Sequence, residues 1–189
     1  LAARDYLLNT VYGFSSGSAR VDDTLITVAA NDCDLLVDKK DGTQEKRYRI
    51  NGFLSTDSKI GDNLKLLLAC MAGKVSYLGG EFAVYAGTYA LSSFVITEDE
   101  MTAPLNLTSN SVRSSYNGAR GIHTSQDLEW KEDEFPPYQD SADLTEDGVS
   151  RFIDLPLPFT KSASACQRIS KLKVKRTRCS RKLSLQTSL

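Results

Sequence analysis

The residues of this 189-residue chain with types suited to catalysis are clustered carboxylates, serines near one histidine, and cysteines. Glu129 and Glu132 flank the only tryptophan, Trp130, and Glu134 follows closely. Paired carboxylates beside an aromatic ring are typical of a glycoside hydrolase, such as one that cleaves peptidoglycan. That chemistry needs one carboxyl group in an apolar pocket, whereas this segment is rich in acids and prolines. A tail-associated hydrolase therefore stays an alternative, and no catalytic residue is assigned.

Serine, histidine and cysteine also form no recognisable constellation. Ser114 and Ser115 precede His123, but no G-x-S-x-G elbow is present. The cysteines show no C-x-x-C pair and no zinc spacing. Three of them, Cys33, Cys70 and Cys166, fall among apolar positions and are expected to be buried and reduced. No G-x-G-x-x-G or P-loop occurs, so we expect no cofactor, no metal and no small-molecule substrate.

Charge is distributed unevenly along the second half of the chain. Residues 127–147 are strongly acidic, whereas residues 162–189 carry only basic charged residues. The basic end could bind nucleic acid. Alternatively, the basic helix and the acidic segment face each other, within one chain or across a subunit contact. The candidate electrostatic or subunit-contact residues are Arg168, Lys171, Lys173, Lys175, Glu132, Asp133 and Glu134.

Apolar periodicity predicts the elements that position these residues. In the first half it predicts helices over residues 4–11, 24–36 and 60–71, strands over residues 47–54 and 94–97, and a hairpin of residues 75–78 and 81–85 around Gly79-Gly80. In the second half it predicts a strand over residues 109–120, an acidic loop over 127–147, a strand over 150–157, a basic amphipathic helix over 162–176 and a strand from residue 182. The longest apolar run, residues 66–72, is too short to cross a bilayer.

Several short motifs, taken in order, resemble one protein family. They are residues 4–13, 29–34, 47–52 and 63–69, the hairpin of residues 73–86, the Tyr116-Asn117 pair within residues 112–119, and Gln167-Arg168-Ile169 in the basic helix. Their order and spacing resemble phage tail tip attachment (host-specificity) proteins of the J type, the central tail hub. The resemblance covers nearly the whole chain.

The resemblance implies a mechanical role. The family's hub closes the end of the tail tube, usually as a trimer, and joins the tube to the fibre or receptor-binding parts of the baseplate. It implies barrel-like β domains, other tail proteins as partners, and a place in the virion tail after synthesis in the host bacterial cytoplasm. It carries over no catalytic residues, so we expect no enzyme. The chain is expected to be a fragment of a longer protein.

We therefore expect an α+β fold in two parts. Residues 1–104 would pack helices on a small antiparallel sheet, and residues 105–189 would form a β-barrel-like domain with one crossing helix. A trimer contact would have an apolar centre. The apolar candidates for that contact are Phe94, Leu105, Phe152 and Phe159.

Overall fold

A computed structural model describes residues 1–89, 95–109, 111–126, 128–179 and 181–187, without the side chain of Val112. Over these residues the chain is a mixed α/β protein with five α-helices and several small sheets. The helices are α1 (Ala2–Leu8), α2 (Asp23–Asp34), α3 (Ile60–Ala69), α4 (Ser141–Asp147) and α5 (Ala163–Thr177). The strands are β1 (Leu36–Asp38), β2 (Gln44–Lys46), β3 (Lys74–Leu78), β4 (Glu81–Tyr85), β5 (Asn106–Ser109), β6 (Gly118–Arg120), β7 (Ile122–Ser125), β8 (Lys131–Glu134), β9 (Tyr138–Gln139), β10 (Phe152–Asp154) and β11 (Arg181–Ser184).

The strands pair mostly as antiparallel ribbons. β1 pairs with β2, β3 with β4, β7 with β8, and β5 with β11. A three-stranded sheet has the order β10-β6-β9, in which β10 and β6 run parallel. Within the described ranges no sheet closes on itself, so the described strands of the second part do not form the expected barrel.

Two apolar cores hold these elements together. The first lies within the first half, where α1 and α3 pack with β4 through side chains such as Leu7, Leu67 and Val84. The second draws Tyr48 and Ala72 from the first half and Phe135, Leu157, Cys166 and Ile169 from the second. Because this second core crosses residue 104, the two parts expected from the sequence share buried surface.

Local signals were sufficient for several elements. The basic helix, all three helices of the first half and the hairpin of β3 and β4 are confirmed. Gly79 and Gly80 have φ angles of 62° and 92°, which glycine adopts without the steric cost of a side chain. This backbone gives the tight turn that the glycine pair predicts.

Residues 47–54 are not a strand, contrary to the periodicity. The backbone N–H of Tyr48 donates to the carbonyl of Cys33, and that of Asn51 donates to the carbonyl of Phe159. These hydrogen bonds join the segment to α2 and to the second half, so its backbone groups do not pair with a neighbouring strand. Of the strand expected over residues 94–97, Phe94 lies outside the described residues, and residues 95–97 are not in a strand.

Two predictions in the second half are also wrong. Of the described residues in the strand expected over 109–120, only Ser109, which ends β5, and those of β6 are in strands. The interruption contains a local turn at Ser111, whose side chain accepts from the N–H of Arg113 and whose carbonyl accepts from Ser114. The acidic segment is not a loop, since it contains β8, β9 and α4. Side-chain capping and ion pairs stabilise it, and composition alone does not reveal either.

Candidate interaction surfaces

Helix α5 is positioned by its apolar face. Ser162 caps its N-terminus by accepting a hydrogen bond from the N–H of Ala165. Cys166 and Val174 have no exposed surface and Ile169 is also buried, at helical spacing. The helix therefore lies on the second core and holds its basic side chains around the remaining circumference.

Helix α4 has well-defined ends. The Asp140 side chain accepts from the N–H groups of Ala142 and Asp143, which begins the helix. Gly148, in the left-handed conformation with φ of 66°, ends it. This short helix presents Asp143 and Asp147 to α5.

Arg178, at the end of α5, joins the two helices. Its guanidinium lies 3.2 Å from a carboxylate oxygen of Asp143, 2.9 Å from Glu146 and 2.8 Å from Asp147. The side chains of Arg178, Asp143 and Asp147 are largely buried. A cation here also interacts favourably with the C-terminal carbonyls of α5. We use the name α4–α5 seam for the network formed by these side chains together with two more. Its members are Arg178, Lys175, Asp140, Asp143, Glu146 and Asp147.

Lys175 extends the seam by one helical turn. Its Nζ lies 2.9 Å from Asp140 and 3.1 Å from Asp143. The hydrogen bond from Lys175, with the backbone N–H of Asp143, lowers the pKa of Asp140 to about 2. The hydrogen bonds to Asp140 and Asp143 raise the pKa of Lys175. The ionised pair is therefore favoured over a wide pH range.

Asn117, the second residue of the Tyr-Asn pair noted in the sequence, forms hydrogen bonds with the seam. It is fully buried, and its amide nitrogen donates to Asp147 and to the carbonyl of Val149. Its amide oxygen accepts from the N–H of Arg151. Hydrogen bonds from Arg151, Asn117 and Arg178 lower the pKa of Asp147.

At the other end of α5, Arg168 bonds to the first half of the chain. It donates to Glu45 at 2.7 Å and to the carbonyl of Arg47 at 3.0 Å. Ser162 donates to the second oxygen of Glu45. Of the basic candidates, Arg168 and Lys175 are thus engaged within one chain.

The remaining charged candidates have a different environment. Lys171 and Lys173 are exposed and form no ion pair with another described residue. Glu132 and Glu134 are exposed on β8, and Asp133 accepts from the N–H of Glu134. The carboxylates that face the basic helix are therefore those of α4 and Glu45. The role of Glu132, Asp133 and Glu134 in a subunit contact stays a prediction.

The second surface is the ribbon of β5 and β11, whose residues are all exposed. In its register Leu107 lies opposite Leu183. Alternation along a strand places Leu105 and Leu185, one residue beyond the paired strands, on the same side. These leucines are 52%, 58%, 49% and 37% exposed in the order given. We call this ribbon the leucine ribbon and that side its leucine face.

The sequence predicts only parts of this surface. The alternation from residue 182 predicts a strand, and Leu105 was expected at a contact. The pairing of β5 with β11 was missed, because it joins residues far apart in the chain. Of the other apolar candidates, Phe159 packs tightly against Gly52 and Phe152 against Gly118, so both are used inside the chain. Phe94 lies outside the described residues.

The catalytic candidates do not converge in the described residues. Glu129, Glu134 and Trp130 are exposed, with Trp130 at 53%. His123 is buried, with Nδ1 3.3 Å from the carbonyl oxygen of Thr160, and no hydrogen bond between described residues joins it to Ser114 or Ser115. Burial raises the pKa of Cys70 to about 11 and that of Cys166 to about 12, so both stay protonated. Within the described part of the chain, no three histidine, cysteine, aspartate or glutamate side chains are grouped so that they could hold a metal ion.

Comparison with known proteins adds no identification. No protein-family model matches the chain, and no curated protein matches it. Among the described residues, no helix has the length and apolar character needed to span a membrane.

Proposed function

We propose that this chain is a structural component of a phage or prophage tail tip, within the baseplate hub that joins the tail tube to the host-recognition parts. The observation that carries the proposal is the leucine face. An exposed apolar face on a ribbon is typical of a surface that binds another protein. The phage assignment itself comes from the resemblance of the sequence motifs.

The packing of those motifs is consistent with a mechanical role. A backbone hydrogen bond from Asn51 to Phe159 connects residues 47–52 to the second half, and the side chain of Asn117 binds residues 147–151. We propose that residues 105–189 belong to a barrel-like hub domain whose closure requires further strands. The full-length protein is proposed to act as a trimer with other tail proteins, in the virion tail.

Immunogold electron microscopy tests this proposal. An antibody raised against the purified chain would be applied to phage particles released by induction of the source bacterium. We expect gold particles at the distal end of the tail. Label that stays in the particle-free fraction, or that lies on the capsid, would contradict the proposal.

A nucleic-acid-binding role is the second candidate, because DNA passes through a tail tube. The exposed Lys171 and Lys173, without ion pairs to other described residues, favour it. Phosphate contacts by such side chains give affinity that falls steeply with salt. The seam lowers the number of cations available to phosphate groups, since Lys175 and Arg178 already contact carboxylates.

A further inference from the structure

The leucine ribbon is amphipathic across its two faces. Leu107 and Leu183 lie on one face, and their strand neighbours Asn106 and Ser184, which oppose each other in the register, lie on the other. The polar face can remain in water. The leucine face has the apolar character of a surface that is normally covered.

An uncovered two-stranded ribbon gains little stability by itself. Isolated hairpins are marginal in water, and they become stable when an apolar face packs on another layer. Every residue of β5 and β11 is exposed, so the described body of the chain does not supply that layer. Packing of the leucine face on a partner would remove apolar surface from water.

The two ends of the ribbon carry opposite charges. Arg181 begins β11 and, by alternation, lies on the leucine side. At the opposite end, the N–H of Thr102 donates to the carbonyl of Gln186 at 2.9 Å, and the acidic turn Glu98–Glu100 precedes it. Glu98 and Asp99 are exposed. The ribbon is therefore basic at one end and acidic at the other.

We propose that the leucine face binds the leucine face of a second copy of this chain, with the two ribbons antiparallel about a two-fold axis. This arrangement is self-complementary, because the same patch meets itself. It places Arg181 of each copy near the acidic turn of the other copy. A parallel arrangement, including three ribbons along a three-fold axis, would bring like charges together.

This inference rests on the assembly role proposed above and names the partner of its main surface. The two-fold contact is compatible with a trimer formed through a different face. The two contacts together would then give an assembly with an even number of chains. The ribbon contact by itself joins two chains. Its signature is therefore a mass that halves when the leucine face is disrupted.

Light scattering over a concentration series tests the contact. We expect the purified chain to reach twice the 20.8 kDa mass of one chain, or a larger even multiple of it. The double variant Leu107→Glu/Leu183→Glu should have half the wild-type mass. The matched control is Asn106→Glu/Ser184→Glu, which also places two glutamates opposite each other but on the polar face, and it should keep the wild-type mass. Circular dichroism would check that both variants are folded.

Charge reversal tests the antiparallel orientation. Arg181→Glu should raise the dissociation constant roughly fivefold to thirtyfold, because the ion pair occurs twice in a two-fold dimer. Glu98→Lys/Asp99→Lys should weaken association in the same way, and the combined variant should restore it. Weakening without restoration would overturn the antiparallel arrangement.

The outcomes separate this inference from the proposed function. A wild-type chain that is monomeric or trimeric, or a mass unchanged in Leu107→Glu/Leu183→Glu, would overturn the two-fold contact. Immunogold label at the tail tip would still support the proposed function in either case. Conversely, a two-fold dimer without label on particles would support the contact and contradict the tail assignment.

Discussion

The α4–α5 seam and the leucine ribbon differ in where their interactions are satisfied. In the seam, opposite charges about thirty residues apart pair within one chain, as Arg178 does with Asp143 and Asp147. In the leucine ribbon, two strands distant in sequence pair through their backbones but leave Leu107 and Leu183 exposed. The charged segments are the most conspicuous feature of the sequence, but several of their side chains form ion pairs with each other within the chain.

The difference shows that a basic helix in a sequence does not by itself define an external binding surface. A basic helix indicates an external anion only if its cations lack internal partners, and Lys175 and Arg178 have such partners. The exposed leucine face has no such internal partner in the described residues. Its contact with water is unfavourable until another apolar surface covers it. We therefore propose that the seam supports the fold and that the leucine ribbon serves assembly.

The largest expected effect distinguishes the packed body from the ribbon. Leu157 has no exposed surface and contacts the core beneath α5, so Leu157→Ala should lower the free energy of unfolding by about 2–5 kcal/mol. The matched change Leu183→Ala should alter it by about 0.5 kcal/mol or less in the monomer. Urea denaturation at low protein concentration measures both. Equal losses would contradict the distinction.

A second pair of variants examines the charges of α5. Arg178→Met removes the cation that Asp143 and Asp147 share and leaves them only Lys175 and Arg151, so its melting temperature should fall by several degrees. Lys171→Met, on the same helix, should melt close to wild type because Lys171 forms no ion pair with another described residue. Differential scanning calorimetry gives both values. A loss for Lys171→Met as large as that for Arg178→Met would show that the cations of α5 are equivalent.

Acid should weaken the seam within a defined pH range. The pKa of Asp140 falls from an ordinary 3.8 to about 2 in the folded chain, chiefly through its hydrogen bond with Lys175. A carboxylate with a lowered folded-state pKa stabilises the fold above its unfolded-state pKa, and this contribution disappears as the pH falls through the folded-state value. Stability should therefore decline between about pH 3.8 and 2.

The Lys175→Met variant provides the control for this acid profile. It removes the first cause of the lowered pKa, so its stability should depend less on pH over the same range. Thermal melts from pH 5 to pH 2 would compare the two proteins. Parallel profiles would mean that Lys175 does not set the acid response.

The smallest expected effect concerns DNA. Because the seam engages Lys175 and Arg178, we expect fluorescence anisotropy to show no binding of duplex DNA at about 0.15 M salt. The suitable variant is Lys171→Glu/Lys173→Glu, since reversing Lys175 would also disrupt the seam. Salt-sensitive binding by wild type that this variant abolishes would favour the nucleic-acid candidate.

Local patterns in the sequence predict part of this fold. The 3.6-residue apolar spacing of α5 and the paired glycines of the β3–β4 turn specify structure through neighbouring residues alone. The acidic segment was predicted to be a loop because acids and prolines disfavour regular structure. Its helix α4 depends on the Asp140 cap and on cations about thirty residues further along the chain. The charge distribution indicates that the two segments can face each other, but it does not show that this contact stabilises a helix in the acidic segment.

The candidate surfaces were harder to predict for the same reason. The sequence identifies the basic helix and the acidic stretch, but not which carboxylate meets which cation. Glu45, the partner of Arg168, is 123 residues away from it. The β5–β11 pairing is also long-range, and each strand alone has only a short apolar alternation. Long-range pairing depends on the whole fold, which local periodicity does not encode.

Hydrogen exchange measured by mass spectrometry at two protein concentrations tests the central comparison most directly. Backbone amides of β5 and β11 should exchange rapidly in dilute solution and become protected as the concentration rises, because assembly covers the ribbon. Amides of α4 and α5 should be equally protected at both concentrations. If protection of the ribbon does not change with concentration, or if the seam alone responds, the assignment of assembly to the leucine ribbon is contradicted.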